Sequence, residues 1–329
     1  TSFVIFFFLI LFSSPYFSFS SKKIKVYKTD SDIVLDGVLD EKFWLECELI
    51  DDFFQQFPDD SIQSNLITEV RMAYTDQRIF LSGIMYDSVP KKYLINSLKR
   101  DFGGPENESV TFTFDTYNDQ KNAFNFGITP YNVQREVLIS EGGTSTWGGG
   151  GGSSTGLSWF NSSWNTRWES FVKKYEDFWI VEISIPFKSL RYRKDSRIWG
   201  FNVWRNNVAT NERSNWTTIP KGYNMYNLSY AGKIEFDSQL PLSGKNVVLI
   251  PYISGSGFDD KIGQEDKKFN PDFGLDLKVG LTSSLNLDIA INPDFSQVEV
   301  DEQRTNLTRF ELLYPCLLYT SDAADDTLC

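Results

Sequence analysis

None of the 329 residues is a histidine, and that absence removes much of the usual side-chain chemistry. Ser-His-Asp and Cys-His nucleophilic catalysis, His-ligated zinc and His-ligated haem all need an imidazole. Paired carboxylates, oxygen-ligated Ca²⁺ and aromatic faces remain. Two carboxylates about 5 to 10 Å apart across a cleft hydrolyse a glycosidic bond, and Glu136, Glu141, Asp177 and Glu182 are available, although nothing in their spacing pairs them. Asp36, Asp40 and Glu41 offer oxygens to a structural Ca²⁺. The same three read equally as a turn residue and a helix start, with Asp40 at the N-cap and Glu41 in the first turn. Asp115 and Asp119 bracket a loop and allow the same two readings. Trp147 and Trp159 lie within and just after a glycine-rich stretch from Gly142 to Gly156. An exposed indole there presents a flat apolar surface to the apolar face of a sugar ring, which makes the two candidate ligand-binding residues. The opposing reading is a loop that folds back and hides them. The stretch lacks a Gly-Lys-Ser/Thr ending and does not read as a phosphate-binding loop.

These residues need a scaffold, and the composition indicates which. The chain carries 9 Trp, 15 Tyr and 28 Phe, set in short runs between Asn, Asp, Gly and Ser, which reads as all-β. The net charge of −12 argues against nucleic-acid binding, which wants a basic patch. Residues Phe3 to Phe12 form an unbroken apolar run followed by small residues, the pattern of a secretory signal peptide over 1–21. At the far end, residues 316–329 begin CLLYTSDAADD, which resembles translated sequencing-adapter sequence. Setting that tail aside removes Asp322, Asp325, Asp326 and two of the three cysteines, and leaves Cys47 with no partner for an intrachain disulfide.

The pattern along the chain predicts strands. Lys22–Tyr27, Glu69–Ala73, Ile79–Met85, Ser109–Asp115 and Ala123–Ile128 alternate apolar and polar residues, the last two as an antiparallel pair. Trp168–Val172, Phe178–Ile185, Trp199–Trp204 and Gly232–Phe236 continue the series to nine or ten strands, which suits a sandwich. Asp36-Gly37 marks a turn, and Trp44 is predicted to point inward from a short helix. Residues 239–246 read as a linker. Beyond them Val247–Ser254, Leu275–Leu281 and Leu285–Ile291 keep a strict two-residue period, which fits either a transmembrane barrel or a second soluble hairpin.

Leu35-Asp36-Gly37-Val38-Leu39-Asp40-Glu41-Lys42-Phe43-Trp44 resembles the entry motif of family 9 carbohydrate-binding modules. Trp168-Glu169-Ser170, Trp179-Ile180-Val181-Glu182 and Trp199-Gly200-Phe201-Asn202 follow in that family's order. The resemblance implies a jelly-roll type β-sandwich over 22–238, with Asp36, Gly37, Asp40, Trp44, Trp168, Trp179 and Trp199 as its structural motif. It also implies a glycan as partner. That family holds its sugar between two aromatics, for which no positions are assigned here. Asn292-Pro293-Asp294-Phe295, with Phe310-Glu311-Leu312-Leu313-Tyr314-Pro315, resembles a bacterial family in which such a sandwich precedes a long outer-membrane barrel. Residues 247–315 would then be the first antiparallel strands of a truncated β-barrel, and the protein would be secreted to the periplasm and outer membrane. The expected function is non-catalytic glycan binding. The alternatives are a docking domain for a transport or assembly barrel, and a glycoside hydrolase. The only cofactor expected is the structural Ca²⁺; no haem and no nucleic acid are expected.

Overall fold

A computed structural model describes residues 22–59, 62–87, 93–104, 106–144, 159–162, 164–193, 195–241, 247–258, 268–280 and 286–292. The expected signal segment, Trp147 and the tail from Cys316 lie outside them. The strands are β1 Lys23–Lys28, β2 Phe54–Phe57, β3 Thr68–Tyr74, β4 Arg78–Tyr86, β5 Ser109–Asp115, β6 Ala123–Ile128, β7 Gln134–Ile139, β8 Phe160–Asn161, β9 Glu169–Lys174, β10 Phe178–Pro186, β11 Ile198–Asn207, β12 Glu212–Asn215 and β13 Gly232–Phe236. After a gap come β14 Val247–Phe258, β15 Lys268–Gly280 and β16 Asn286–Ile291. Among the described residues no helix is long and apolar enough to cross a membrane.

Strands β1 to β13 form a two-sheet sandwich. One sheet runs β8-β7-β6-β5-β11-β13-β1 and the other β1-β3-β4-β10-β9. β1 belongs to both: Lys23–Val26 pair in parallel with Lys233–Phe236, and Tyr27 and Lys28 pair in parallel with Ala73 and Tyr74. All other pairings are antiparallel. The inner faces supply the core. Val110, Phe112 and Phe114 of β5 and Phe201 and Val203 of β11 meet Ile79 and Leu81 of β4 and Trp179, Val181 and Ile183 of β10. Trp199 packs edge-on against Phe114, Phe187 and Phe236. Trp44, Trp168, Trp179 and Trp199 are all buried, as the sequence motif implies.

Thirteen strands before Leu240 exceed the nine or ten read from the pattern. The additional ones are short or polar: β2 is Phe-Gln-Gln-Phe and β12 is Glu-Arg-Ser-Asn. Their register comes from backbone pairing to neighbours, so hydrophobic alternation does not mark them. The helix at Asp40 also differs. It is a single 3₁₀ turn, Lys42–Leu45, whose N-cap position is Glu41 with no side-chain capping bond. Glu41 instead accepts from the Trp44 indole at 3.1 Å and the Val34 amide at 3.0 Å, so a tertiary role displaces capping.

One polar side chain crosses the sandwich. Arg205 leaves the inner face of β11, fully buried. Its guanidinium donates to the Ile67 carbonyl at 3.2 Å, Thr68 Oγ1 at 3.3 Å, the Tyr86 carbonyl at 2.9 Å and Asp87 Oδ1 at 2.5 Å, all on the opposite sheet or its margin. Glu108 lies 4.0 Å away. Burial pushes Glu108 up to about 7, the Arg205 charge opposing it and the Asp87 charge reinforcing it. Arg205→Met strands Asp87 and Glu108 without a counter-charge, and is expected to cost about 3–5 kcal/mol. Urea unfolding of wild type and variant measures it; an unchanged midpoint would show the charges are not coupled.

Candidate functional site

In the β8-to-β1 sheet the face opposite the core is unusual. Strand β5 turns Thr111 and Thr113 to it, where alternation predicts solvent, yet both are buried. Register places one row of side chains across five neighbouring strands: Arg135 of β7 opposite Gly127 of β6, then Thr111 of β5, Trp204 of β11 and Asn215 of β12. In the next row, Val137 pairs Asn125, then Thr113, then Asn202.

The cover over these rows is aromatic. Ala123, Ile139, Trp204, Met225, Tyr226 and Leu228 form a second apolar cluster, with Trp159 and Phe160 packed on it. The Tyr226 ring stands 5.7 Å from Trp204 and 5.7 Å from Trp159. Gly143, at φ +62, lies so close to Tyr226 that a Cβ there would meet the Tyr226 carbonyl at 2.2 Å. The segment leading into the glycine-rich stretch is thereby seated on the same cluster. Trp159, which follows that stretch, is half-buried, and its carbonyl accepts from Ser140 N at 2.8 Å.

What distinguishes this covered face is unmet hydrogen bonding. Thr111 Oγ1, Asn125 Oδ1, Arg135 Nη1, Trp204 Nε1 and both amide atoms of Asn215 are buried without a partner. Buried polar atoms are ordinarily paired, and each one left alone costs about 1–3 kcal/mol. Donors and acceptors alternate along one line, beside indole and phenol rings. That is the chemistry that holds a polyhydroxylated ring: hydroxyls meet the line and C–H faces meet the rings.

The carboxylates considered from sequence sit elsewhere. Glu136, fully buried, accepts from Arg100 at 2.6 and 3.1 Å and from the Trp168 indole at 3.2 Å. Glu182, also fully buried, accepts from the amides of Asp36 and Gly37 at 3.0 and 2.7 Å. Glu141 adopts φ +54 at the start of a 3₁₀ turn, and Asp177 precedes β10, where its carbonyl accepts from Asp87 N. Asp36 Oδ1 accepts from Val38 N at 2.9 Å, closing the turn expected there. Asp115 and Asp119 likewise accept loop amides. No group of three or more Asp, Glu or Cys that could hold a metal occurs among the described residues. A surface cavity of about 320 Å³ lies apart from all of these, beside Arg78, Phe187 and Pro241; Arg78 there is paired to Glu169 at 2.8 Å.

Comparison with known proteins covers both halves. The family model described as a domain of unknown function, DUF5916, matches residues 245–315. No curated protein matches the chain. Among solved structures, a family 9 carbohydrate-binding module of Caldicellulosiruptor kristjanssonii in complex with cellotriose is 15% identical, with TM-score 0.44, over 66% of this chain and 95% of its own. The same kind of module from that organism with glucose is 16% identical, with TM-score 0.43, over 66% and 97%. A putative carbohydrate-binding protein of Bacteroides uniformis is 15% identical, with TM-score 0.48, over 66% and 100%.

Two outcomes follow for the turn held by Glu182. Gly37 has φ +73, and a Cβ there would lie 2.4 Å from Lys173 Cβ. Gly37→Ala is expected to lower stability by at least about 1 kcal/mol, through backbone strain and the clash; a thermal melt reads it. Burial pushes Glu182 up from its ordinary 4.5 to about 7, against the pull of the Gly37 and Asp36 amides. The folded state therefore favours the protonated acid: its contribution is complete below pH 4.5 and declines as pH rises to about 7. Glu182→Gln should flatten part of that decline in unfolding free energy measured from pH 4.5 to 7.5.

Proposed function

We propose that the sandwich, residues 22–238, is a non-catalytic glycan-binding domain whose site is the covered polar row of Arg135, Thr111, Trp204 and Asn215. The observation that carries this is the line of unpaired buried donors and acceptors set beside Trp204, Tyr226 and Trp159. A core built for stability alone would pair these atoms or replace them with apolar groups. Trp159 serves as a wall of the site. Glu136 and Glu182 hold the fold, and neither acts as a hydrolytic acid.

A second element completes the proposal: strands β14–β16 open an outer-membrane barrel that carries the sandwich, in a protein secreted across the inner membrane. Register puts Val247, Leu249, Pro251 and Ile253, then Phe273, Leu275, Leu277 and Val279, then Leu287, Ile289 and Ile291 on one face. Tyr252, Ser254, Asp272, Asp276, Lys278 and Asp288 share the other face, with Ile250 and Ala290. β14 and β15 have 12 and 13 residues, more than the about 9–11 that a tilted strand needs to cross hydrocarbon. Apolar side chains outward and polar ones inward is the barrel arrangement. On the polar face Tyr252 lies over Gly274 and reaches the Asn292 carbonyl at 2.5 Å.

Each element has its own test. Thr111→Val deletes an unpaired hydroxyl without changing shape. It should raise stability by about 1 kcal/mol and weaken glycan binding, read by tryptophan fluorescence against an oligosaccharide panel. A gain in stability with binding intact would remove the row from the site. For the barrel, Leu277→Arg should impair insertion into lipid vesicles by about 2–4 kcal/mol, while Asp276→Arg, one residue away on the polar face, should insert like wild type. Equal behaviour of the pair would refute the assignment of faces.

A further inference from the structure

The buried charges of the sandwich are compensated with one exception. Arg205 has Asp87, Glu136 has Arg100, and Glu182 has two backbone amides. Arg135, 4% exposed, makes no ion pair. Its Nη2 donates to the Tyr226 hydroxyl at 3.1 Å, and its plane lies 5.0 Å from the Phe160 ring and 5.8 Å from the Phe102 ring. Nη1 has no partner. Aromatic faces attract a guanidinium, but they do not take its hydrogen bonds or neutralise its charge.

The space beside Nη1 is kept open by a missing side chain. A Cβ on Gly104 would stand 2.4 Å from Nη1 and 3.4 Å from the Tyr226 hydroxyl. The preceding Gly103 is exposed, and a Cβ there would meet only Glu106 Oε2, at 3.7 Å. Two glycines thus make a thin roof over two convergent donors, Arg135 Nη1–H and the Tyr226 O–H, whose oxygen already accepts from Nη2. A guanidinium N–H and a phenol O–H side by side match the two oxygens of one carboxylate, and charge-assisted bonds of this kind are about twice as strong as neutral ones.

We propose that the glycan is acidic, and that Arg135 and Tyr226 read the carboxylate of a hexuronate residue beneath Gly103-Gly104. This rests on the glycan-binding reading above and names the sugar class for that site. The ligand supplies the negative charge that the protein withholds from Arg135. The net charge of −12 repels a polyanion at long range, so selectivity comes from this one contact, and added salt should strengthen binding by screening the repulsion.

The test is calorimetric titration of the full chain with trigalacturonate and with its methyl ester, which is nearly the same size and uncharged. Trigalacturonate is expected to bind at least about tenfold more tightly than the ester, the worth of one charge-assisted pair. Tyr226→Phe keeps the ring packing against Trp204 and Trp159, and should cut trigalacturonate affinity about fivefold or more with the ester unaffected. Arg135→Gln and Gly104→Ala should abolish the preference, and circular dichroism reports whether each variant folds; Tyr226→Phe remains decisive if they do not. Equal binding of acid and ester, or a preference that survives in Tyr226→Phe, overturns the carboxylate subsite while leaving glycan binding intact. Binding of neither acid, ester nor a neutral panel overturns both readings together.

Discussion

The sandwich depends on a charge that no solvent reaches. Arg205 starts on one sheet and ends among the carbonyls, hydroxyl and carboxylate of the other. Apolar packing holds two sheets together but allows them to slide, because hydrophobic contact is non-directional. A buried guanidinium with fixed bond directions does not permit sliding, since each lost bond leaves a buried polar atom unpaired. The price of desolvating that cluster is met by register. β11 is held in one position relative to β3 and β4, and Trp204, one residue away and facing the opposite side, is therefore placed in the polar row. Stability on one face of β11 and the candidate site on the other are set by consecutive residues.

Much of the fold was legible, and the failures have one cause. Strands whose alternate residues are apolar, such as Ser109–Asp115 and Ala123–Ile128, fell where the period placed them. The Leu35–Trp44 motif gave a real turn, locked from a distance by Glu182, which no local pattern announces. The site was mostly illegible. Thr111, Thr113 and Asn125 look like the wet side of a strand, and only the cover formed by Met225 and Tyr226, a hundred residues later, makes them interior. Trp159 was selected for its neighbourhood to glycine, and the structure seats it against that cover. Arg135 carried no sequence signal, because an unpaired charge is defined by what fails to lie near it.

The two halves of the chain use the same two-residue period with opposite burial. In the sandwich the polar side of β5 is roofed by protein. In β14–β16 the apolar side has no protein over it, and Val247, Leu249, Ile253, Phe273 and Ile291 are each more than half exposed. Alternation states which residues share a face, and the environment of each face is decided by whatever the rest of the chain, or the surroundings, lays on it.

β1 imposes an order of events on the chain. Its first four residues pair with β13, about 210 residues later, so the strand made first waits for the strand made last. Contacts of such separation are slow to form because loop closure precedes any gain. Synthesis delivers β3, β4 and β10 early, and one sheet can assemble while the other lacks its seam. Only when Phe236 has emerged does β1 join both sheets, and eleven residues later β14 begins. The sandwich is therefore competent to close at about the moment the next unit starts to appear, which makes the joint between them the timing point of the whole molecule.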